Sequence, residues 1–239
     1  MRWFAFLVVV WASPAAAVIC EDIEYEGKSY TACTVDVASE NLRLFYKNPE
    51  GGVIGSFGRI EALPQVNALA FAMNAGMYHD DRSPVGHYIE NGVEEMRVIP
   101  NAGPGNFGML PNGVFCINED TALIYETLTY VDTRPVCRDA TQSGPMLVID
   151  GALHPRFLVE STSRFVRNGV GTTADGATAV FVISNDRVTF YEFGSFFRDY
   201  LKLRNALYFD GKVSRLYARD QGRSDFGFQL LGPMVAVIE

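Results

Sequence analysis

Short segments rich in β-branched and aromatic residues recur along this chain, and each ends at glycine, asparagine, aspartate or proline. Such segments are typical of β-strands, because branched and aromatic side chains pack well on a pleated surface and the terminating residues favour turns. The eight clearest segments are residues 30–37, 41–46, 85–89, 93–99, 114–117, 146–149, 178–183 and 187–191. The pattern predicts an α+β fold that is mostly β, with mixed sheets and few helices.

One helix is predicted after Glu192, where apolar residues recur with the helical period. The residues of this apolar face are Phe193, Phe196, Phe197, Tyr200 and Leu201. A weaker pattern predicts a short helix over residues 59–63. The 239 residues contain no low-complexity linker, so we expect a single domain over residues 18–239.

The first 17 residues have the layout of a secretory signal. Arg2 supplies a positive start, residues 3–11 are apolar, and residues 15–17 are three alanines. The apolar stretch is too short to span a bilayer as a helix, and the bulky Ile19 before Cys20 does not suit lipoprotein processing. We therefore expect cleavage after Ala17, a periplasmic or secreted location, and no stable membrane anchor in the mature protein.

Four cysteines form an even set that allows three pairings in an exported protein. We favour Cys20 with Cys33 and Cys116 with Cys137, because the first pair brackets a natural hairpin tip at residues 26–28. Closing such small loops stabilises a protein by roughly 3 kcal/mol. Metal binding by these cysteines is a poor alternative, because no C-x-x-C spacing occurs.

The charge of the chain limits its partners. A net charge of −8 argues against general affinity for nucleic acid or for anionic membranes. The basic residues are 16 Arg and only 4 Lys. Arginine binds phosphate and carboxylate through two parallel hydrogen bonds, so this excess is compatible with an anionic substrate, although GC-rich codon usage explains most of it.

Polar, turn-forming residues also occur in three short islands, each directly at one end of an apolar run. The islands are residues 71–77 (FAMNAGM), 141–146 (TQSGPM) and 205–211 (NALYFDG). Rigid strands position the side chains at their ends, and glycine lets the backbone approach a ligand closely. The islands therefore predict an active site built on strand ends.

Asp210 is the most informative residue of these islands. It follows the apolar run 206–209 and precedes Gly211, so it lies either in a hairpin turn or in a reactive site at the end of a strand. Lys212, Ser214 and Arg215 follow at once and surround the carboxylate with cations and a hydroxyl. That grouping suits a ligand that carries phosphate.

Arg164 and Arg167 precede an Asn-Gly turn at residues 168–169. In a strand, residues three apart point to opposite faces, so at most one of the two arginines faces a pocket. We prefer Arg167, because it is adjacent to the turn, and we expect Arg164 to be a solvated surface residue.

Other residues of catalytic or metal-binding type carry less information. His79, Asp80 and Asp81 are adjacent, and adjacent residues seldom converge on one ion, so a solvated turn is the better interpretation. Common hydrolase, metalloprotease and nucleotide-binding motifs do not occur. We therefore expect no metal and no cofactor.

Taken in order, five motifs resemble the phosphodiester glycosidase family over residues 71–218. They are Asn74-Ala-Gly76, Ser83-Pro-Val-Gly86 leading to Glu90-Asn-Gly92, Gln142-Ser-Gly-Pro-Met-Leu-Val-Ile-Asp150-Gly151, Arg167-Asn-Gly-Val-Gly171 and Asn205-Ala-Leu-Tyr-Phe-Asp210-Gly211. Each motif is weak by itself, but the ordered set is fairly specific. The likeness is greatest to the short exported bacterial branch of the family.

The resemblance implies a phosphorylated glycan as substrate and a role for each matching residue. Asp210 is expected to act as base or nucleophile, Arg167 to bind phosphate, and Asn74 and Gln142 to bind phosphate or sugar hydroxyls. A single carboxylate is sufficient in principle, because phosphate leaves as a stabilised anion and needs cations and hydrogen-bond donors more than a proton. The further expected substrate-binding residues are Ser143, Gly144, Gly76, Ser214 and Lys212.

The chain departs from the family pattern at two glycine-rich positions. Asp210-Gly-Lys-Val-Ser214 stands where Asp-Gly-Gly-Gly-Ser is typical, and Asn74-Ala-Gly76 stands where Asn-Gly-Gly is usual. These changes concern the ligand more than the fold. Three functions are thus compatible with the sequence: an exported hydrolase of sugar-1-phosphodiesters, a non-catalytic envelope protein that binds phosphorylated glycans, and a metal-dependent phosphodiesterase.

Overall fold

A computed structural model describes residues 18–239 of the chain, so the expected secretory signal and its cleavage site lie outside the described residues. Strands predominate, and the α+β, mostly β prediction is confirmed. The strands are β1 Ile19–Tyr25, β2 Lys28–Asp36, β3 Asn41–Phe45, β4 Leu69–Asn74, β5 Tyr88–Glu90, β6 Val93–Met96, β7 Gly113–Ile117, β8 Ala122–Glu126, β9 Asp139–Ser143, β10 Met146–Ile149, β11 Ala152–Leu153, β12 Asn168–Thr172, β13 Thr178–Ser184, β14 Asn205–Asp210, β15 Leu216–Ala218, β16 Arg223–Ser224 and β17 Met234–Ile238. The helices are α1 Phe57–Glu61, α2 Thr127–Thr133 and α3 Phe190–Ser195, and a π-helical turn over Phe196–Tyr200 continues α3.

The strands form three sheets. Their orders are β1-β2-β13-β12-β14-β10-β11, β16-β15-β4-β17-β3 and β6-β5-β9-β7-β8. Each strand pair in these sheets is antiparallel. The described sheets are therefore antiparallel, whereas mixed sheets were expected from the sequence. Within residues 18–239, no helix is both long enough and apolar enough to cross a membrane.

A common core joins the three sheets into one domain. Phe181 of β13 packs against Phe71 of β4 and Phe115 of β7, with ring centroids 4.9 and 5.9 Å apart. Phe115 also contacts Phe209 of β14 at 6.3 Å. All four rings are fully buried. Because apolar side chains from every sheet meet here, the ends of β4, β9, β12 and β14 are brought together on one side of the core.

The predicted helices lie close to their expected positions. Thr189 and Glu192 form a capping box that starts α3 at Phe190. Phe196 of the following turn stacks on Tyr30 of β2 with ring centroids 4.1 Å apart. The strand predicted over residues 187–191 is wrong, because the cap at Thr189 turns the chain into the helix after a single bridge at Val188. Helix α2 was not predicted.

Both predicted disulfides are present, and the described part of the chain has no free cysteine. Cys20 and Cys33 are directly opposite each other in the β1–β2 ladder. The connecting residues Glu26 and Gly27 have φ of 50° and 70°, as a two-residue type I′ hairpin turn requires. The hairpin expected at residues 26–28 is therefore confirmed together with its disulfide.

Glu90 in β5 is a partly buried carboxyl whose ionisation affects stability. One of its oxygens, Oε2, accepts hydrogen bonds from Tyr46 N at 3.0 Å and from the Tyr88 hydroxyl at 2.9 Å. Burial nevertheless dominates and raises the pKa of Glu90 from 4.5 to about 7. Because the pKa of Glu90 is higher in the folded state, the contribution of this residue to stability is fully present below pH 4.5 and is lost as the pH rises through 7.

We therefore predict that Glu90→Gln abolishes the contribution of residue 90 to the pH dependence of the free energy of unfolding. The wild-type free energy of unfolding should fall relative to the variant by up to about 3 kcal/mol between pH 4.5 and pH 8. Urea denaturation of both proteins across this range measures the difference. The contributions of His87 and His154, whose pKa values are lowered by burial, cancel because both proteins contain them. Parallel pH profiles would contradict the prediction.

Candidate functional site

A cavity of about 810 Å³ opens where β14 ends. Charged side chains of both signs face it, together with several aromatic rings. The charged lining residues are Asp210, Asp80, Lys212 and Arg82, His79 also lines the cavity, and the aromatic lining residues are Tyr78, Tyr208, Phe107 and Phe165. Clefts of this size, with apolar walls and a few polar groups, are typical of sites for small ligands.

Asp210 is held in place by backbone groups on two sides. Its Oδ1 accepts hydrogen bonds from Gly211 N at 2.7 Å and Lys212 N at 2.9 Å, and its own N–H donates to Asn168 Oδ1 at 3.0 Å. Burial raises the pKa of Asp210 above its usual value, while the N–H groups of Lys212, Gly211 and Val213 oppose the shift. The structure thus presents a fixed, poorly hydrated carboxyl to the cavity, as a general base or nucleophile requires.

A layer of buried amides lies behind Asp210. Asn168 donates from Nδ2 to Asn74 O at 2.8 Å, and its Oδ1 accepts from the Ser214 hydroxyl at 3.3 Å. Asn74 Oδ1 accepts from Arg215 N at 2.9 Å. Asn74 itself is fully buried and does not line the cavity. Its Nδ2 has no hydrogen-bond acceptor among the described residues, and buried donors without partners are costly enough to be rare.

Tyr208 is a cavity residue that the sequence interpretation missed. A Cβ placed on Gly211 would lie 2.2 Å from the Tyr208 hydroxyl, so this hydroxyl lies directly over the backbone next to Asp210. Burial raises the pKa of Tyr208 well above its usual range, and the positive charge of Arg167 opposes the shift. Alternation along a strand places residues i and i+2 on the same face, so the position of Tyr208 two residues before Asp210 was the available signal.

Arg167 lies behind the aromatic wall of the cavity and does not line it. It is 1% exposed, with Nε donating to Val188 O at 2.9 Å and Nη2 to Ser163 O at 3.1 Å. Its Cζ lies 3.7 Å from the Phe190 ring centroid. Burial lowers the pKa of Arg167, yet in residues 18–239 no carboxylate forms an ion pair with it and Nη1 has no acceptor. A buried guanidinium with an unused donor is suited to supporting an anion nearby.

Arg164 differs from Arg167, which follows three residues later in the chain. As expected, it is a surface residue, and it forms an ion pair with Glu192 at 2.6 Å.

The residues Gln142, Ser143 and Gly144 support the cavity walls from behind. Gln142 Oε1 accepts from His87 N at 3.0 Å and Ile99 N at 2.9 Å, and its Nε2 donates to Ile99 O. The loop after Ile99 supplies the lining residues 104–107. Ser143 Oγ donates to Phe209 O at 3.0 Å, and a Cβ on Gly144 would lie 2.5 Å from Asn112 Cβ. The structure therefore gives these residues internal hydrogen bonds and close packing in place of a position on the cavity surface.

The remaining predicted residues surround Asp210 more closely. Lys212 lines the cavity, and the Ser214 hydroxyl donates to Asp210 O at 2.9 Å. Gly76 has a φ of 124°, which favours glycine, and it turns the chain from β4 towards the lining residues Met77 and Tyr78. The cavity thus brings Asp210 and Lys212 together directly, Ser214 is bonded to the backbone of Asp210, and Gly76 adjoins Thr141 at the end of β4.

The turn predicted at residues 79–81 is present, since Asp81 Oδ1 accepts from Ser83 N at 2.9 Å. His79 and Asp80 also border the cavity, which is not part of the prediction of a solvated turn. No group of three His, Cys, Asp or Glu side chains within residues 18–239 is arranged to hold a metal ion. The expectation that the protein needs no metal or cofactor stays a prediction.

Fold and site together define a β-rich domain whose cavity combines a strand-end carboxylate with cations suited to a phosphate-bearing ligand. The family model for phosphodiester glycosidases matches residues 67–228. The chain belongs to the phosphodiester glycosidase family, as the ordered motifs predicted.

Relatives and solved structures agree with this assignment. The Escherichia coli (strain K12) protein YigE, itself uncharacterised, is 31% identical over 211 residues, which are 86% of this chain and 82% of YigE. The catalytic domain of zebrafish N-acetylglucosamine-1-phosphodiester alpha-N-acetylglucosaminidase, solved in a form auto-inhibited by its pro-peptide, has a TM-score of 0.65 at 13% identity and covers 95% of this chain and 84% of that domain. A hypothetical protein from Synechocystis has a TM-score of 0.62 at 13% identity over 92% of this chain and 61% of that one. At these identities the structural matches show a shared fold.

Proposed function

We propose that this protein is an exported hydrolase that cleaves the glycosidic bond of sugar-1-phosphodiesters in envelope or extracellular glycans. The observation that carries the proposal is the position of Asp210 in the cavity, held by two amide N–H groups and adjacent to Lys212 and Tyr208. Family membership supports the same chemistry.

In this proposal, Asp210 acts at the anomeric carbon of the bound sugar. As a base, it takes a proton from the water whose oxygen forms the new bond to carbon; as a nucleophile, it forms that bond itself, and water then displaces it. In both cases the bond between the anomeric carbon and the phosphate oxygen breaks, and its electron pair leaves with the phosphate. The ionised carboxylate is required, and the amides of Gly211 and Lys212 stabilise it against the cost of burial.

The leaving phosphate requires positive charge and hydrogen-bond donors rather than a strong acid. Lys212, which is exposed, and Arg82, which is half-buried, supply positive charges at the cavity, and the Tyr208 hydroxyl supplies a donor beside Asp210. Arg167 adds a permanent charge behind Tyr208, where the low dielectric strengthens its effect. We therefore assign Arg167 to electrostatic support of the phosphate, and Asn74 and Ser214 to holding the loop that carries Asp210.

The two disulfides support an oxidising compartment, since disulfides persist in secreted and periplasmic proteins and are rare in the cytosol. Envelope and extracellular glycans are the phosphorylated glycans accessible there. Two alternative functions are a non-catalytic envelope protein that binds phosphorylated glycans, which the Lys212 and Val213 departure favours, and a metal-dependent phosphodiesterase.

The bond that breaks distinguishes the glycosidase from a phosphodiesterase. We predict that turnover of a sugar-1-phosphodiester in oxygen-18 water labels the released sugar and leaves the phosphate unlabelled, because a carboxylate at the anomeric carbon directs water to carbon. Mass spectrometry of both products measures the label. Activity should persist in EDTA.

The Asp210→Asn variant is the matched control, and it should release both products more slowly by about 10³-fold or more. Label on the phosphate, together with loss of turnover in EDTA, would establish the phosphodiesterase alternative. A wild-type protein that binds such diesters without any turnover would favour the binding protein.

A further inference from the structure

A second cavity of about 710 Å³ adjoins the first. The segment Gly211 to Val213 and the residue Gln229 line both of them. A ligand that extends past Lys212 would therefore pass from the cavity of Asp210 into the second one.

Two phenylalanines form the rim of this second cavity, and both are exposed. Phe226 is 82% and Phe228 97% exposed, and their ring centroids are 5.3 Å apart in an edge-to-face arrangement. No other phenylalanine within residues 18–239 is as exposed as these two. Adjacent exposed aromatic rings beside a cavity commonly mark a ligand or partner site, because they cost solubility without contributing to the core.

The segment that carries these rings is anchored at both ends. Arg223 forms two hydrogen bonds of 3.0 Å to the carboxylate of Asp225, which also accepts from Leu216 N. Arg215 Nη1 donates to Gln229 O at 2.9 Å, and a Cβ on Gly227 would lie 2.0 Å from Arg215 Nη2. The two rings are therefore presented to solvent by a braced segment.

The charge of the second cavity is positive. Asp225, its acidic lining residue, is neutralised by Arg223. Neither Lys212 nor Arg215 forms an ion pair with a carboxylate in the described part of the chain. A saccharide fits this chemistry: the C–H face of a sugar ring packs on an aromatic ring, and its phosphate or hydroxyl oxygens accept from Arg215 and Lys212.

We infer that the second cavity is a subsite for the saccharide on the far side of the phosphate, and that Phe226 and Phe228 are its stacking platform. The phosphate lies near Lys212, where the two cavities meet, and the sugar that is released lies beside Asp210. This inference rests on the proposed function. It deepens that function by assigning Phe226 and Phe228 as the residues that select the group on the far side of the phosphate.

The experiment compares two diesters of N-acetylglucosamine-1-phosphate, one esterified to methanol and the other to the 6-hydroxyl of a methyl hexoside. The double substitution Phe226→Ala and Phe228→Ala should lower kcat/KM for the hexoside diester by about tenfold, through KM, and leave the methyl diester unchanged. Val136→Ala, at an exposed apolar residue that lines neither cavity, should change neither value. Equal effects on both diesters, or no effect, would overturn the subsite.

A binding measurement separates this inference from the proposed function. Titration calorimetry with a methyl hexoside 6-phosphate should give a Kd that the double variant weakens by about tenfold. If the wild-type protein cleaves neither diester but this Kd depends on the two phenylalanines, the hydrolase proposal fails and the subsite stands. A Kd unaffected by the double substitution, or no binding by the wild type, overturns the subsite. Sedimentation with anionic phospholipid vesicles that depends on the two rings, without sugar-phosphate binding, would show a membrane contact in its place.

Discussion

Asp210→Asn is expected to lower kcat/KM for a sugar-1-phosphodiester by about 10³-fold or more, while the melting temperature stays within a few degrees. Asparagine keeps the shape of aspartate, and its carbonyl oxygen can accept from Gly211 and Lys212 as Oδ1 does. Because burial raises the pKa of Asp210, the ionised carboxylate costs stability at neutral pH, and the neutral amide removes that cost. Steady-state kinetics and thermal denaturation measure the two effects.

Asp80→Asn is the matched control, since Asp80 is a carboxylate of the same cavity but is exposed to solvent. We expect a loss of about tenfold at most, because a hydrated carboxylate at the rim contributes through charge alone. If Asp210→Asn unfolds the protein, the carboxylate is structural. If Asp80→Asn causes the larger loss, the base or nucleophile has been assigned to the wrong residue.

Arg167→Lys is expected to lower kcat/KM by about 10²-fold, which is typical for the loss of one preorganised donor to a developing anion. It should also destabilise the protein by about 2 kcal/mol, because lysine cannot bond both Val188 O and Ser163 O while stacking flat on Phe190. Kinetics per folded molecule and urea denaturation separate the two effects.

Arg164→Lys provides the comparison three residues earlier in the chain. Arg164 is exposed and pairs with Glu192 on the surface, so its replacement should cost less than about 1 kcal/mol and leave activity unchanged. An Arg167→Lys protein that is less stable but fully active would limit Arg167 to a structural role, and the phosphate would then depend on Lys212 and Arg82.

Local sequence signals predicted much of the scaffold because their physical causes are local. The two-residue turn at Glu26 and Gly27 follows from backbone conformation, and the pairing of Cys20 with Cys33 follows from the hairpin that this turn creates. The capping box at Thr189 is equally local, but residues 187–191 also match the strand pattern, and that pattern alone wrongly predicts a strand there. The position of Asp210 at a strand exit was predicted correctly because the apolar run before it ends there.

The positions of the other site residues depend on contacts that are distant in sequence. Gln142 is satisfied by His87 and Ile99, 55 and 43 residues away, so its side chain braces a loop instead of lining the cavity. Asn168 donates to Asn74 O, 94 residues earlier, and accepts from Asp210 N, 42 residues later. A periodic pattern cannot show which long-range partner uses a polar group.

By itself, therefore, the sequence determined the β-rich class, both disulfides, the family and the carboxylate at the end of β14, because turn chemistry, periodicity and motif order carry that information. Only the tertiary structure decided which polar groups face the cavity. Packing of α3 placed Phe190 over Arg167 and buried it, whereas the end of β14 left Tyr208 and Asp210 at the cavity. The physical reason is that burial and hydrogen-bond satisfaction are set by the whole core.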